Sequence, residues 1–382
     1  MWYFYQKTLQ KCDVILSKYD IIGKFITTVL LIRKIINIPL YFIEYINALN
    51  SLKYFCEEAN EYHVACAGSL LGIRLSKTSF PVGKVDFLNL YPMTFSEFLI
   101  ADDSKNLVEV MAQTKEIKNI PKIFEDKLIE KLKIYYITGG MPEVVYSWIN
   151  NKDIEKVNTI QKNILDAYES DFSKHTNENT ANKISLIWNG IPSQLAKKNK
   201  KFVYQMVKEG ARAREYEGAL NWLNDANLIC KSYLVNKCAF PLKAYYDLSA
   251  YKIYMNDVGL LRRMSNLDSS IILEGNKLFE EFKGSFTENY VANALNYILE
   301  QSPNYYTFNR NEIDFIVQIN NKIIPIEVKA NKSTNNTSLT KYNAKNDNEI
   351  SFRISLKNLS KDGKIINIPL YFIEYINELN LD

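Results

Sequence analysis

The chain has 382 residues, 47% hydrophobic and 24% charged, an ordinary globular composition with room for two or three domains. A formal net charge of +4 is too mild to imply a polyanionic partner by itself, so the placement of the charges matters more. Five cysteines (Cys12, Cys56, Cys66, Cys230, Cys238), odd in number and without a CxxC pair, exclude a disulfide scaffold and suit a reducing cytoplasm.

The most apolar stretch, Ile21 to Ile46, is interrupted by Lys24, Arg33 and Lys34. No uncharged run therefore reaches the roughly 20 residues of a membrane helix, and no membrane partner is expected. The first residues also lack the basic n-region and A-x-A site of a signal peptide. KIINIPLYFIEYINALN at Lys34–Asn50 recurs as KIINIPLYFIEYINELN at Lys364–Asn380, with Ala48 against Glu378 the single difference. Repeat architectures diverge between copies and recur at about 20 to 50 residues. Near identity at this separation points to recombination of the coding sequence, with the C-terminal copy as the original.

Glu61–Ala67 reads as a buried strand ended by Gly68-Ser69, and FPVGKVDFLNLYPMTFSEFL follows. After YYITGGMPEVVYSWI at Tyr135–Ile149, residues Asn151–Thr180 are helical and end in the polar HTNENTANK, where a new domain is expected. From Lys183 to Val235 the pattern is helix (ISLIWNGIPSQLA), helix (KKFVYQMVKEG), helix (ARAREYEGALNWLNDANLI) and strand (CKSYLV). The order resembles a winged helix. Between Lys183 and Arg214 eight basic residues face one acid, Glu209, a cluster suited to phosphates: Lys183, Lys197, Lys198, Lys200, Lys201, Lys208, Arg212 and Arg214.

A helix over Asn276–Glu300 precedes NEIDFIVQINNKIIPIEVKA, Asn311–Ala330. Two β-branched runs flank Asn320-Asn321, which suits a two-residue turn with positive φ. In that register Asp314 lies opposite Glu327 and Glu312 opposite Lys329, while Ile313, Phe315, Val317, Ile324, Ile326 and Val328 fill the other face. Opposed carboxylates repel; Lys329 supplies one compensating charge, and a divalent metal would supply the rest. Pro325 cannot donate to a ladder, so a bulge or free edge is expected there. His63 and His175 have no partner at metal-ligand spacing.

Glu, then Asp, then Glu-x-Lys resembles the PD-(D/E)XK nuclease superfamily, and the resemblance places its motif on Glu288, Asp314, Glu327 and Lys329. It implies Mg2+ or Mn2+ held by Asp314, Glu327 and Glu288. From Ser51 onward, AGSLLG, FPVGKV…LYPMTFSEFL, YITGGMPE, IYMNDVGLL and IPIEVKA stand in the order of a family of prokaryotic AAA-type ATPases with a C-terminal nuclease-like domain. Ser69 resembles that family's sensor position. A working member needs GxxxxGK[ST] and a Walker B acid. Gly23-Lys24 lacks the first glycine and the following Ser or Thr, and only Glu44 is acidic where the Walker B strand belongs, so ATP is not expected to bind. The resulting expectation is an atypical segment (1–50), a partial P-loop α/β domain with helical lid (51–180), a winged helix (181–265) and a PD-(D/E)XK-like domain (266–382). Three functions follow: a DNA-acting protein with a metal-dependent nuclease-like domain, a non-catalytic DNA- or protein-binding module, or a gene remnant. DNA and further copies of the chain are the expected partners.

Overall fold

The computed structural model describes residues 41–42, 53–59, 66–67, 83–84, 86, 89–197, 201–274, 280–319, 321–330, 337–346 and 349–381. Ser69, Lys198, Lys200, Asn320, the Gly23-Lys24 stretch and most of the N-terminal repeat lie outside the described residues. The chain divides into two compact units, residues 1–91 with 217–228, and residues 92–216 with 229–382. In the first, Tyr41–Phe42 pairs in parallel with Cys66–Ala67, and Glu57 faces both Lys53 and Lys84 at 4.0 and 3.6 Å.

The second unit is mixed α/β. Its helices begin with α1 (Phe95–Ala101), α2 (Lys105–Gln113), α3 (Lys122–Thr138), α4 (Pro142–Asn151), α5 (Ile154–His175), α6 (Glu178–Asn189) and α7 (Ile191–Ala196). Asn177 caps α6 by accepting from Thr180 N–H at 2.9 Å, so the polar run read as a linker is instead a cap and first turn. Next in the chain comes α8 (Ala213–Asp225), of which residues 217–225 belong to the first unit. The middle segment of the expected three-helix run forms only a single 3-10 turn, Tyr204–Met206, preceded by Val203 in extended backbone.

Eight strands follow: β1 (Ile229–Val235), β2 (Tyr246–Met255), β3 (Asn304–Phe308), β4 (Asn311–Ile319), β5 (Lys322–Val328), β6 (Ser351–Ser355), β7 (Ser360–Asp362) and β8 (Ile365–Pro369). Helices α9 (Val258–Met264), α10 (Ser269–Glu274), α11 (Glu280–Leu299) and α12 (Thr337–Lys345) are interspersed among them. All eight strands form one mixed sheet in the order β2-β1-β3-β4-β5-β6-β8-β7. The pairs β1–β3, β5–β6 and β6–β8 are parallel. The strand expected as a wing, β1, thus lies in the same sheet as the β4–β5 hairpin.

The hairpin register is the expected one. Phe315 pairs with Ile326 and Ile319 with Lys322, and Asn321 takes φ +59° in the turn. The faces differ from expectation, because β4 carries one extra residue against β3: Asn304 pairs with Ile316, but Tyr306 with Ile313. Such a bulge breaks the two-residue alternation. Ile313 and Ile316, three apart, therefore share one core cluster with Leu339 and Tyr342 of α12. The parallel ladder to β6 starts at Ile326, immediately after Pro325.

Three sequence motifs far apart in the chain meet at one point. Asp257, 1% exposed, caps α9 by accepting from Leu260 N–H at 2.8 Å and also accepts from Gly140 N–H at 2.7 Å. Gly140 in turn accepts from Met93 N–H at 2.7 Å. A Cβ on Gly140 would stand 2.1 Å from the Met93 carbonyl oxygen, and one on Gly139, at φ +67°, 2.2 Å from Asp257 Oδ1. Only glycine fits either place. Around the knot, Phe98 of α1, Tyr135 and Tyr136 of α3, and Phe286 and Tyr290 of α11 pack edge to face. These rings join the helices to the helix that lies on the sheet.

The C-terminal repeat completes both layers. Its first residues are β8, and Leu370–Glu378 is a buried 3-10 helix. Glu374 in that helix accepts from Phe95 and Ser96 N–H at 2.7 and 3.0 Å, capping α1 beside the Thr94–Glu97 capping box.

Burial pushes the Asp257 carboxyl up from 3.8 to about 6, against the backbone donors of Gly140, Leu260 and Gly259 that favour its charge. Between those values the folded chain holds a proton that the unfolded chain releases, so stability falls as pH rises through that window, by up to about 3 kcal/mol. Asp257→Asn should flatten the dependence of the denaturation midpoint on pH between about 4 and 6 relative to the unsubstituted protein; parallel profiles would refute the assignment.

Candidate functional site

The charged residues of the hairpin lie on both sides of the strand bulge. Lys252 of β2 is fully buried, with its ammonium 2.6 Å from Glu312 and 3.3 Å from Glu288. Glu288, on α11 and 3% exposed, also accepts the hydroxyl of Tyr254. Lys252 and Tyr254 flank Ile253 on β2, so the strand period sends both to the same face. Burial alone would discharge Lys252, but the carboxylates of Glu288, Glu312 and Asp314 outweigh it and hold the ammonium well above the ordinary lysine range. The Lys252 ammonium also stands 4.9 Å from the Tyr305 ring centroid. Burial, and then the Glu288 charge, keep Tyr254 protonated as a donor.

On the other side, Glu327 is 5% exposed and paired with Lys329 at 2.6 Å. Leu339 N–H, in the first turn of α12, donates to it at 3.4 Å, so the positive end of the helix dipole adds to the compensation. Arg353 of β6 lies opposite Glu327 in the ladder, fully buried. Burial lowers its pKa while the charges of Asp362 and Glu327 oppose that. Asp314, the next pair along the β4–β5 register, accepts Val328 N–H at 2.8 Å.

Of the four residues expected to form the active centre, the structure joins Glu327 with Lys329 directly, sets Glu288 on Lys252, and leaves Asp314 accepting from Val328 N–H. A divalent cation needs several oxygens converging at about 2.0–2.6 Å from one point. Among the described residues no group of three His, Cys, Asp or Glu is so arranged. Each carboxylate is answered by a cation or a backbone donor of the chain, and as arranged the four residues do not fit the ion.

The comparisons with known proteins fall on this unit. Residues 283–372 match a domain of unknown function, DUF4143, which is known as an AAA-ATPase-associated domain. Residues 129–271 match a second domain of unknown function, DUF8612. No curated protein and no solved structure matches the chain. The first match spans α11, the hairpin, α12 and most of the final repeat, so the ion-paired hairpin lies inside it. The second ends beyond Lys252 and Asp257.

Of the basic residues expected to face phosphates, Lys201, Lys208, Arg212 and Arg214 are exposed. Lys197 turns inward: its ammonium donates to Gln194 Oε1 at 2.8 Å and to the Lys201 carbonyl at 2.7 Å, closing the loop after α7. Lys183 stands 5.8 Å from the Tyr216 ring centroid. No helix among the described residues is long and apolar enough to cross a membrane.

Sequence reasoning missed Lys252. Its signal was a lysine inside the apolar run AYKIYM, where a charge has to be paired. Lys252→Met should cost about 3–5 kcal/mol, because Glu288 and Glu312 would be left uncompensated. Adding Glu288→Gln should recover part of that loss in a denaturant titration. If the double variant is as unstable as the two single losses summed, the pair is not a unit.

Proposed function

We propose that this chain is a non-cutting relative of the DNA-acting, AAA-type ATPase-associated proteins, in which the PD-(D/E)XK-like sheet is a scaffold for binding DNA rather than a catalytic centre. The observation that carries this reading is the fully buried Lys252 ammonium shared by Glu288 and Glu312. An ion pair inside the protein satisfies the charges that a nuclease would spend on metal and phosphate, so the hairpin is neutralised internally. Exposed Lys201, Lys208, Arg212 and Arg214 support contact with a phosphate backbone, which recruits basic side chains without needing a reaction. The absence of GxxxxGK[ST] from the sequence supports a chain that does not itself turn over ATP.

A second reading, metal-dependent cleavage, is favoured by one feature: the register that sets Asp314 against Glu327, with Lys329 beside them. The two readings separate on melting temperature with and without Mn2+. A scaffold should gain nothing from the ion, and Glu327→Gln should melt alike in both conditions. A rise with Mn2+ that Glu327→Gln abolishes, together with cleavage of a DNA duplex, would overturn the scaffold reading.

Binding is tested by salt. Replacing Lys201, Lys208, Arg212 and Arg214 with Gln should weaken affinity for a DNA duplex and flatten the slope of log K against log salt by about 0.9 for each phosphate that is no longer neutralised. An unchanged slope would show that the four side chains only solvate the loop and the start of α8.

A further inference from the structure

The DNA contact proposed above uses only cations, and it leaves a row of aromatic rings beside them without a role. Lys201 opens a loop in which Phe202 and Tyr204 pack edge to face, with ring centroids 4.9 Å apart. Phe202 stacks on Tyr251 of β2 at 5.8 Å, Tyr251 meets Tyr233 of β1 edge to face at 5.9 Å, and Tyr233 stacks on Tyr246 at 5.9 Å. Tyr233 and Tyr251 are directly opposed in the β1–β2 ladder, so their side chains leave the sheet on one face. The loop is tied to the outer edge of β2: Phe202 N–H donates to the Tyr251 carbonyl at 2.8 Å, and the hydroxyls of Tyr204 and Tyr251 are hydrogen-bonded to each other.

The row has a floor and a surface. Phe202 and Tyr251 are buried, at 6% and 7% exposure, whereas Tyr204, Tyr233 and Tyr246 are half-buried. The two buried rings fix the other three in place, so a ligand that stacks on them meets side chains already ordered. Next to the row the ladder passes from Tyr233–Tyr251 directly to Leu234–Asp247, so residues 248–250 loop out and Leu248 is 70% exposed.

Cations stand at both ends. Lys201 and Lys208 are exposed at the Tyr204 end. Hydrogen bonds from Ser249 and then the Lys201 charge hold the Asp247 carboxyl below the ordinary range, which places Lys201 beside the start of β2. At the far end Lys237 and Lys243 are exposed. There Tyr246 accepts from Asn304 Nδ2 at 2.6 Å and borders a cleft that Lys243, Gln301 and Gln318 also line. The two glutamines offer amide donors and acceptors to the edge of a planar polar ring.

A duplex hides the faces of its bases in the stack and would meet the lysines alone. An unpaired strand presents phosphates and base faces together, and aromatic rings set among cations hold such a strand without regard to its sequence. We propose, resting on the DNA contact argued above, that the surface from Lys201 to Lys243 binds single-stranded DNA, with unpaired bases stacked on Tyr204, Tyr233 and Tyr246.

The probe is an oligothymidylate of about 16 nucleotides, compared with the duplex it forms with oligoadenylate, each titrated at equal salt by fluorescence anisotropy. The unsubstituted protein should bind the single strand more tightly than the duplex. Tyr204→Leu and Tyr233→Leu, which keep apolar bulk and lose the ring, should each weaken the single strand about tenfold and leave the duplex unchanged, while Tyr233→Phe should bind as the unsubstituted protein does. Replacing Lys201, Lys208, Arg212 and Arg214 with Gln should weaken both forms. A preference for the duplex, or tyrosine variants that weaken both forms alike, would overturn the stacking surface and leave the DNA contact standing; no binding of either form would overturn both. A measurement without any substitution decides independently of how the variants fold. Iodouracil placed in the oligothymidylate and irradiated on the unsubstituted protein should cross-link to Tyr204, Tyr233 or Tyr246, and cross-links confined to other residues would refute the surface.

Discussion

The second unit is held in register by a buried carboxylate at a place where three chain segments come too close for side chains. Asp257 gathers backbone donors from Gly140 and from the first turn of α9, and the Gly140 carbonyl accepts a further hydrogen bond from Met93 N–H. Donors in a water-excluded place are expensive to leave unpaired. The carboxylate therefore ties the exit of α3, the segment that starts α1 and the end of β2 into one geometry. Because β2 also carries Lys252 and Tyr254, the position of the knot sets where the buried ammonium meets α11. The helices and the eight-stranded sheet of this unit share these residues.

The ion pairs follow from that arrangement. A helix, α11, crosses the sheet with Glu288 pointing into it, and β2 answers with a lysine and a tyrosine at strand spacing. On the opposite side Glu327 meets Lys329, Arg353 and the start of α12. Removing any one of these cations would leave a carboxylate in low dielectric, which costs more than the pair gives. Such a network rigidifies the centre of the sheet.

Much of the hairpin was legible. Two β-branched runs about Asn320-Asn321 allow one register, and that register is found from Phe315–Ile326 to Ile319–Lys322. The faces were not legible, because parity assumes an unbroken strand and nothing in NEIDFIV marks the extra residue that β4 carries against β3. Glu312 was expected across from Lys329, and it meets Lys252 instead, a residue some sixty positions upstream whose pairing is a tertiary fact. Likewise the polar TNENTANK reads as a linker by composition, yet Asn177 begins a helix there, since the residues that favour loops are the same ones that cap helices. The glycines of ITGGMP were visible as a motif, while the reason for them, the approach of Met93 and Asp257, required the fold.

The repeated segment shows most directly how far sequence determines structure in this chain. Tyr-Phe within identical flanking words is a strand at 41–42 and part of a 3-10 helix at 371–372. Local propensity is the same in both, so it cannot be what decides; β-propensity in particular reports the fit to neighbours more than a backbone preference. At the C-terminus the neighbours are β6, β7 and the open end of α1, and the proline at 369 ends the strand where Glu374 is needed as a cap.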